Sequence, residues 1–250
     1  MPTRSRIARS MRNSQPTVKG VPTIARSVDA KGTNLDGQIM GRKGSETRTR
    51  LLEAAALLLA TTPLRTLTTA DLARKAGISP ASFYLYFENV DTLALALAES
   101  ATDAAMAFIN DLEAEWTWED PQGHIAGFVR AFFDHWDRYS AILRVRNLAV
   151  DEGDWAFQRT CERMTTPIYQ AIESKIALAK KAGRIDKRQH SVSLAAVAML
   201  GIERSAATYK QFPRKYQITR ERLIEAAVLM LKFTVLGPEP ISQGNDHGHR

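Results

Sequence analysis

The sequence contains a single cysteine, Cys161, among its 250 residues. One cysteine excludes an internal disulfide, so the fold must depend on the burial of apolar side chains, and this usage is typical of a reducing compartment. Residues 99–236 also have no HExxH pair, no glycine-rich phosphate loop and no Cys/His cluster with the spacing of metal ligands. We therefore expect no enzymatic activity, no cofactor and no metal site.

Long apolar runs are scarce too. A helix that crosses a bilayer needs about 20 predominantly apolar residues, and the apolar stretches EAAALLLATTPL and LAAVAMLGIERS are both interrupted. The N-terminus has no apolar segment of the kind found in a secretory signal. These features predict a cytoplasmic protein without a membrane partner.

Basic charge is confined to one end of the chain. The net charge is +7, and residues 1–44 hold nine Lys or Arg against two Asp, so the remainder is neutral. This segment is rich in Gly, Pro, Ser and Thr and has no apolar periodicity, which predicts a disordered arm. Its composition fits a solvated tail, an arm attracted to a polyanion, or a transit peptide.

Beyond residue 44 the apolar periodicity is helical almost everywhere. Apolar side chains recur at three- and four-residue spacing, first at Leu51, Leu52, Ala55, Leu58 and Leu59, and then through 91–116, 123–138, 154–181, 190–209 and 219–236. No segment alternates as a strand would. The pattern predicts an all-α fold of about nine helices.

The stretch LTTADLARKAGIS carries the start and stop signals of a short helix. Thr68 can cap it, with Asp71 at the third helical position. Gly77 stands where a left-handed C-cap residue belongs. Ser79 then caps a second helix that has Pro80 at its first position. Two short helices joined by a three-residue turn containing glycine predict a helix-turn-helix.

The second helix, SPASFYLYF, has no Lys or Arg. Phe83 and Phe87 are four residues apart, and we expect both to pack against the core. The opposite face and its flanks present small, hydroxylated or apolar side chains that suit close docking into a major groove, namely Ala81, Ser82, Tyr84 and Leu85. Tyr86 should be half buried, with its hydroxyl at the surface.

The pattern TxxLAxxAGISxxxFYxYFxxxxxL, residues 69–93, resembles the DNA-binding domain of the TetR family of transcriptional regulators. The resemblance implies a homodimer of all-helical subunits, whose C-terminal domain binds a small effector and dimerises through its last two helices. It also implies DNA contacts from the start of the first short helix and from the second one. Thr69, Ala70, Ser82 and Leu85 would face bases, and Tyr84 and Tyr86 would face phosphates.

One position departs from the family pattern. Members often carry a Lys at the start of the fourth helix, where this chain has Val90, although backbone N–H groups at that helix start remain available for a phosphate. We expect Arg42, Lys43, Arg48 and Arg50 to supply the charge. The candidate DNA-binding residues are therefore Arg42, Lys43, Arg48, Thr69, Ala70, Ser79, Ala81, Ser82, Tyr84, Leu85 and Tyr86.

Aromatic residues are concentrated in the C-terminal part of the chain. Each can simply be core, yet bundle interiors are also common ligand sites. The candidate effector-binding residues are Phe132, Trp136, Tyr139, Trp155 and Glu203. Because a buried charge needs a partner, we expect Glu203 to be exposed at the edge of its helix, to contact the effector or, as the favoured alternative, to be paired across the bundle. Asp134 and His135 are expected on a solvated face.

The segment RERLIEAAVLMLKFTVL is apolar on two faces, so one face can cover its own subunit while the other needs a partner. The helices at 190–209 and 219–236 therefore predict a four-helix dimer interface about a two-fold axis. We divide the chain into four parts: a disordered basic arm at 1–44, a helix-turn-helix domain at 45–92, an effector-binding and dimerisation domain at 93–237, and a disordered tail at 238–250.

The sequence thus predicts a dimeric, sequence-specific DNA-binding transcriptional regulator. We expect a repressor that a small apolar or aromatic effector releases from a near-palindromic operator in double-stranded DNA. One alternative is an all-helical small-molecule-binding protein or enzyme with a coincidental helix-turn-helix. Another is a regulator that activates, or that binds DNA without an effector.

Deletion of residues 1–43 should weaken operator binding and flatten the dependence of log K on log salt. Every phosphate that the shortened chain no longer neutralises lowers the magnitude of that slope by about 0.9. Fluorescence anisotropy at several salt concentrations measures it, with circular dichroism to confirm that the deleted form is folded. An unchanged slope would mean that the arm does not contact DNA.

Overall fold

The computed structural model describes residues 41–113 and 121–237 of the chain. These residues form eight α-helices and three short 3-10 helices, and they contain no strand. The α-helices are α1 (Arg42–Leu59), α2 (Thr69–Ala76), α3 (Pro80–Phe83), α4 (Val90–Glu113), α5 (Pro121–Asp151), α6 (Trp155–Lys181), α7 (Ser191–Thr208) and α8 (Arg220–Leu236). The predicted all-α fold is confirmed, and the number of helices is close to the expected one. Most of the basic arm and the whole C-terminal tail lie outside the described residues.

Two helix boundaries differ from the sequence-based expectation. Helix α1 begins at Arg42, so Arg42 and Lys43 lie on its first turn and not in the preceding arm. Helix α5 continues to Asp151, past the predicted end at residue 138. It does so because its inward stripe continues beyond that point, through Leu143 and Arg146, which are both fully buried.

Helix α4 is the central helix of the subunit. It contains a stretch of 21 residues, Val90–Asn110, that is long and apolar enough to cross a membrane by length and composition, so the expectation that the chain has no such stretch is wrong. Its apolar side chains instead form core, including Leu93, Ala94, Leu97, Ala98, Ala101, Ala105 and Ile109. Helix α4 packs against α1 on one side and against α5 and α6 on the other. The helix-turn-helix and the C-terminal bundle therefore share one continuous core.

A network of charges joins the start of α8 to α5. The Asp137 carboxylate accepts hydrogen bonds from Tyr209 Oη at 2.6 Å, Lys210 Nζ at 2.7 Å and Arg220 Nε at 2.9 Å. Arg220 also pairs with the exposed Asp134. Partial burial acts to raise the pKa of Asp137, but the hydrogen bonds from these three donors hold it below its ordinary value. Asp137 is therefore the shared acceptor that fixes α8 on α5.

The substitution Asp137→Asn should lower the free energy of unfolding at pH 7 by about 1–2 kcal/mol, because it removes the charge that three donors share. Since the pKa of this carboxyl is depressed in the folded state, its contribution is complete above the unfolded-state pKa of about 3.9 and is lost as the pH falls. Urea unfolding at pH 7 and near pH 3 measures the difference. Asp151→Asn, at an exposed carboxylate on the same helix, is the control. Equal effects of the two substitutions would contradict this role.

Candidate functional site

Side-chain capping fixes the two short helices of the helix-turn-helix. Thr68 Oγ1 accepts a hydrogen bond from Asp71 N at 3.1 Å, and the Asp71 carboxylate accepts one from Thr68 N at 3.3 Å. Gly77 ends α2 in the left-handed region, with φ 69° and ψ 39°. Ser79 Oγ then accepts from Ser82 N at 3.1 Å and starts α3. The capping box, the left-handed glycine and the serine cap are all confirmed.

Packing of two phenylalanines determines where α3 lies. Phe83 and Phe87 are buried in the same core as Leu51, Leu52 and Leu72, and their ring centroids are 6.0 Å apart. Regular α-helix ends at Phe83, earlier than the sequence suggests, but Phe87 N still donates to Phe83 O at 3.1 Å. The chain therefore keeps a helical course to Phe87, and the expected core role of both rings is confirmed.

The outward face of α3 reaches solvent. Tyr84 and Leu85 are 52% and 50% exposed, and Ala81 is exposed as well. The Tyr84 hydroxyl lies 3.4 Å from Thr69 Oγ1, which connects this face to the start of α2. Tyr86 is half buried, as expected. The structure thus brings the uncharged candidates of both short helices to one accessible surface.

The basic candidates on α1 divide into two groups. Arg42 and Lys43 are exposed on the first turn, where Arg42 pairs with the exposed Glu46 at 3.5 Å. Arg48 instead lies with its guanidinium carbon 5.2 Å from the centroid of the Phe87 ring. Burial lowers the pKa of Arg48, and the nearby Glu99 carboxylate raises it in part. Arg48 therefore contacts the buried ring of Phe87, while Arg42 and Lys43 are exposed on the first turn of α1.

The start of α4 offers less to a phosphate than the sequence suggests. Val90 packs partly into the core. Asn89 Oδ1 accepts a hydrogen bond from Thr92 N at 2.8 Å, and Asn89 N in turn donates to Thr92 Oγ1 at 3.2 Å. One of the backbone donors expected to be available there is therefore already satisfied within the chain.

Three of the candidate effector-binding side chains lie together inside the bundle. Phe132, Trp136 and Tyr139 are buried on one face of α5. Trp155 is not with them, since it is 68% exposed and has the Arg159 guanidinium 5.8 Å from its ring. It is the first residue of α6, directly after the Asp154 cap, and its side chain lies outside the bundle. The expectation that Trp155 lines the interior with the others is wrong.

His135 lies in the core, contrary to the expectation of a solvated face. It is 5% exposed, and its ring centroid is 5.5 Å from that of Phe108 and 4.9 Å from that of Tyr139. Burial lowers its pKa to about 3, with smaller contributions from the positive charges of Arg146 and Arg138. The imidazole is therefore neutral at physiological pH.

This histidine is one of three neighbouring side chains on α5 that each have a buried polar atom without a partner in the part of the chain that the structure describes. Within the described residues, His135 Nε2, Trp136 Nε1 and Tyr139 Oη are buried and have no hydrogen-bond partner. Such atoms are rare in protein interiors, because an unpaired buried polar group loses its hydration without compensation. Their proximity on one helix marks this face of α5 as the most unusual part of the core.

Arg146 lies two turns beyond Tyr139 on the same inward stripe, after Leu143, and is fully buried. Its Nη2 donates to Glu203 Oε1 on α7 at 3.3 Å and to Asn147 Oδ1 at 2.9 Å, and its Nη1 contacts Met164 Sδ on α6 at 3.4 Å. Asn147 Nδ2 also donates to Glu203 Oε1, at 3.0 Å. The predicted pairing of Glu203 is confirmed. Sequence reasoning missed its partner, although an arginine seven residues after Tyr139, on the continued apolar stripe, was a usable signal.

Two sequence profiles match the chain. The profile of bacterial regulatory proteins of the tetR family matches residues 51–97, and that of the tetracyclin repressor-like C-terminal domain matches residues 109–242, more than half of the chain. The chain belongs to the TetR family of transcriptional regulators. No curated protein matches it significantly in sequence.

Solved structures of this family share the fold. The fatty acid degradation regulator FadR from Bacillus halodurans has a TM-score of 0.59 at 14% identity, covering 79% of this chain and 97% of that one. FadR from Bacillus subtilis, in complex with stearoyl-CoA, has a TM-score of 0.57 at 14% identity, covering 76% and 98%. A TetR-family regulator from Marinobacter aquaeolei has a TM-score of 0.59 at 20% identity, covering 78% and 98%. At these identities the likeness shows the fold alone.

Proposed function

We propose that this TetR-family protein is a homodimeric repressor that binds a near-palindromic operator and leaves it when a small apolar or aromatic effector binds inside the C-terminal bundle. The observation that carries the proposal is the placement of residues 80–87, α3 and its helical continuation, which we call the recognition helix. Its Tyr84 and Leu85 are exposed, while Phe83 and Phe87 hold it in the core. A helix presented in this way can enter a major groove without moving relative to its subunit. We place the protein in the cytoplasm.

The contacts with DNA divide by chemistry. Small and apolar side chains at Ala81, Ser82 and Leu85 suit base edges and thymine methyl groups, whereas the hydroxyls of Tyr84 and Tyr86 suit phosphate oxygens. Thr69, Ala70 and Ser79 extend the same surface from the capped ends of the two helices. Arg42 and Lys43 supply positive charge from the first turn of α1. We assign residues 45–92 to the DNA-binding domain and 93–237 to the effector and dimerisation domain, with the boundary in the first turn of α4.

Two exposed apolar stripes support the dimer. Val197 and Leu200 lie exposed on α7, and Leu229 and Phe233 lie exposed on α8, where residues 229 and 233 are one helical turn apart. The two helices also pack on each other, since a Cβ on Gly201 would lie 3.4 Å from Met230 Cε. A second copy related by a two-fold axis would cover both stripes in a four-helix bundle.

The effector would bind along the inward face of α5. Phe132, Trp136 and Tyr139 line this face, and the unpaired polar atoms of Trp136 and Tyr139 can orient a ligand within an otherwise apolar site. An acyl chain is a candidate for the apolar part, in keeping with the stearoyl-CoA complex of the Bacillus subtilis relative. Binding that favours one of two dimer geometries would change the separation of the recognition helices and release DNA.

The substitution Tyr84→Ala should weaken binding to a selected operator about five- to tenfold, because it removes one hydrogen bond to a phosphate. Fluorescence anisotropy with a labelled operator measures the effect. Tyr216→Ala is the matched control, since Tyr216 is 59% exposed, against 52% for Tyr84, but lies before α8. If selection yields no preferred DNA sequence, the protein is not a sequence-specific regulator.

The substitution Leu200→Glu should convert the dimer to monomers, because it would place a carboxylate in the apolar centre of the interface. Sedimentation velocity measures the change in mass. Leu178→Glu on α6, at a side chain that is 48% exposed against 59% for Leu200, should leave the mass of the dimer unchanged. A monomeric wild-type protein, or equal effects of both substitutions, would contradict the proposed interface.

A further inference from the structure

The buried guanidinium of Arg146 has an incomplete set of acceptors. A guanidinium carries five N–H donors. Nε and Nη2 both donate to Asn147 Oδ1, at 3.1 and 2.9 Å, and Nη2 also donates to Glu203 Oε1 at 3.3 Å. Among the residues that the structure describes, Nη1 contacts only the thioether sulfur of Met164, which is a weak acceptor. The positive charge of Arg146 is thus buried in the core, and its Nη1 has no oxygen acceptor among the described residues.

Glu203 is a poor counter-ion for this charge. It offers Arg146 one carboxylate oxygen, and the same oxygen accepts from Asn147 Nδ2 at 3.0 Å. Its side chain is 22% exposed whereas that of Arg146 is 0% exposed, so the carboxylate approaches the guanidinium from the surface of α7. A carboxylate that enters from the interior could bond to Nη1 and Nη2 together, in the bidentate geometry that makes such pairs strong.

The stripe that leads away from Arg146 changes from polar to apolar. Leu143, which is fully buried, comes first along it, and Tyr139 lies two turns, or about 10 Å, from Arg146 toward the start of α5. Next come Trp136 and His135, and all three carry a buried polar atom without a partner. Beyond them the stripe ends in a group of aromatic rings in which Phe108 lies 6.0 Å from Phe128 and 6.2 Å from Phe132. The face therefore offers a cation at one end, then the aliphatic side chain of Leu143, then hydrogen-bonding groups, and aromatic rings at the other end.

We propose that the effector is an amphipathic carboxylic acid whose carboxylate binds Arg146 in place of Glu203, and whose body lies along Tyr139 and Trp136 toward Phe132. This inference rests on the proposed function, because it takes the inward face of α5 as the effector site. It adds the charge and the orientation of the ligand. An uncharged effector could offer Nη1 an oxygen but no negative charge to balance the guanidinium, and a cation would be repelled by Arg146.

Replacement of Glu203 by the effector carboxylate would also link the effector site to the proposed dimer interface. Glu203 lies on α7, the helix that presents Val197 and Leu200 to the partner subunit in the proposed dimer. When an effector carboxylate occupies Arg146, Glu203 separates from α5 and turns to the solvent that it already partly faces. Helix α7 is then released from α5 at this point, which gives the effector a direct way to alter the dimer geometry.

Calorimetric titration of the full chain tests the inference with two acids and their matched alcohols. Decanoate is compared with decan-1-ol, and 4-phenylbutyrate with 4-phenylbutan-1-ol, so that each pair differs in the charged group and keeps the same body. Each acid should bind about 10- to 100-fold more tightly than its alcohol, the range expected for a buried charge-assisted hydrogen bond. The pair that binds more tightly shows whether the body is aliphatic or aromatic.

Two variants give opposite predictions. Glu203→Gln removes the competing carboxylate but keeps an amide that can bond to Asn147, so acid binding should tighten about tenfold. The double variant Arg146→Gln with Glu203→Gln leaves no buried charge, so it should bind acid and alcohol equally. Glu225→Gln, at an exposed carboxylate on α8, is the control. It should change neither the affinity for the acid nor the affinity for the alcohol.

Failure of the inference is distinguishable from failure of the proposed function, because operator binding is measured on the same samples. Acids that bind no better than alcohols, or not at all, overturn the inference, as does a Glu203→Gln variant that binds acid more weakly. If operator binding persists in those cases, the proposed DNA-binding function stands. Absence of operator binding in the wild-type protein overturns that function instead.

Discussion

A helix of four residues has no stability of its own, so the recognition helix depends on the burial of Phe83 and Phe87. These two rings hold the segment against α1 and α2, while Arg48 lies against Phe87 and the caps at Thr68 and Ser79 fix the direction of each helix start. The exposed side chains Ala81, Tyr84 and Leu85 can then be uncharged, because the burial of the two phenylalanines and the cap at Ser79 hold the helix in place. In the proposed function, most of the residues that would contact DNA are therefore not the ones that hold the helix.

The same core runs into the C-terminal bundle, so the helix-turn-helix and the proposed effector site share one scaffold. Arg146 contacts Met164 on α6, and the adjacent residue, Arg163, pairs with Asp103 on α4 at 2.9 Å and donates to Glu99 O at 3.3 Å. Helix α4 packs in turn on α1, which supports the helix-turn-helix. A shift of α6 at the buried arginine therefore has a continuous path of contacts to the helix-turn-helix, in addition to the path through α7 to the interface of the proposed dimer.

Local and non-local features differed in how well the sequence predicted them. Caps, the left-handed glycine and the burial of Phe83 and Phe87 follow from residues within one or two turns of each other, and all were predictable. The rotation of α5 was not, because it depends on which helices surround it. His135 was expected in solvent and is core, Trp155 was expected inside and is exposed, and the continuation of α5 to Arg146 was missed. Glu203 was recognised as a residue that needs a partner, but the identity of that partner depends on the packing of α5 on α7.

The Arg146–Glu203 pair is difficult to explain by stability alone. Removing two charges from water costs several kcal/mol per ion, and apolar side chains of similar volume often stabilise a core as well or better. Hydrogen bonds offset this cost only where they satisfy the whole group, yet here Nη1 meets a sulfur atom and three nearby polar atoms lack partners. A core selected only for stability would fill this face with aliphatic side chains, as α4 does along Leu93, Leu97 and Ile109. The incomplete polar stripe therefore supports the proposed effector site, in which a ligand would complete the hydrogen bonds and the ligand-free protein would lose some stability.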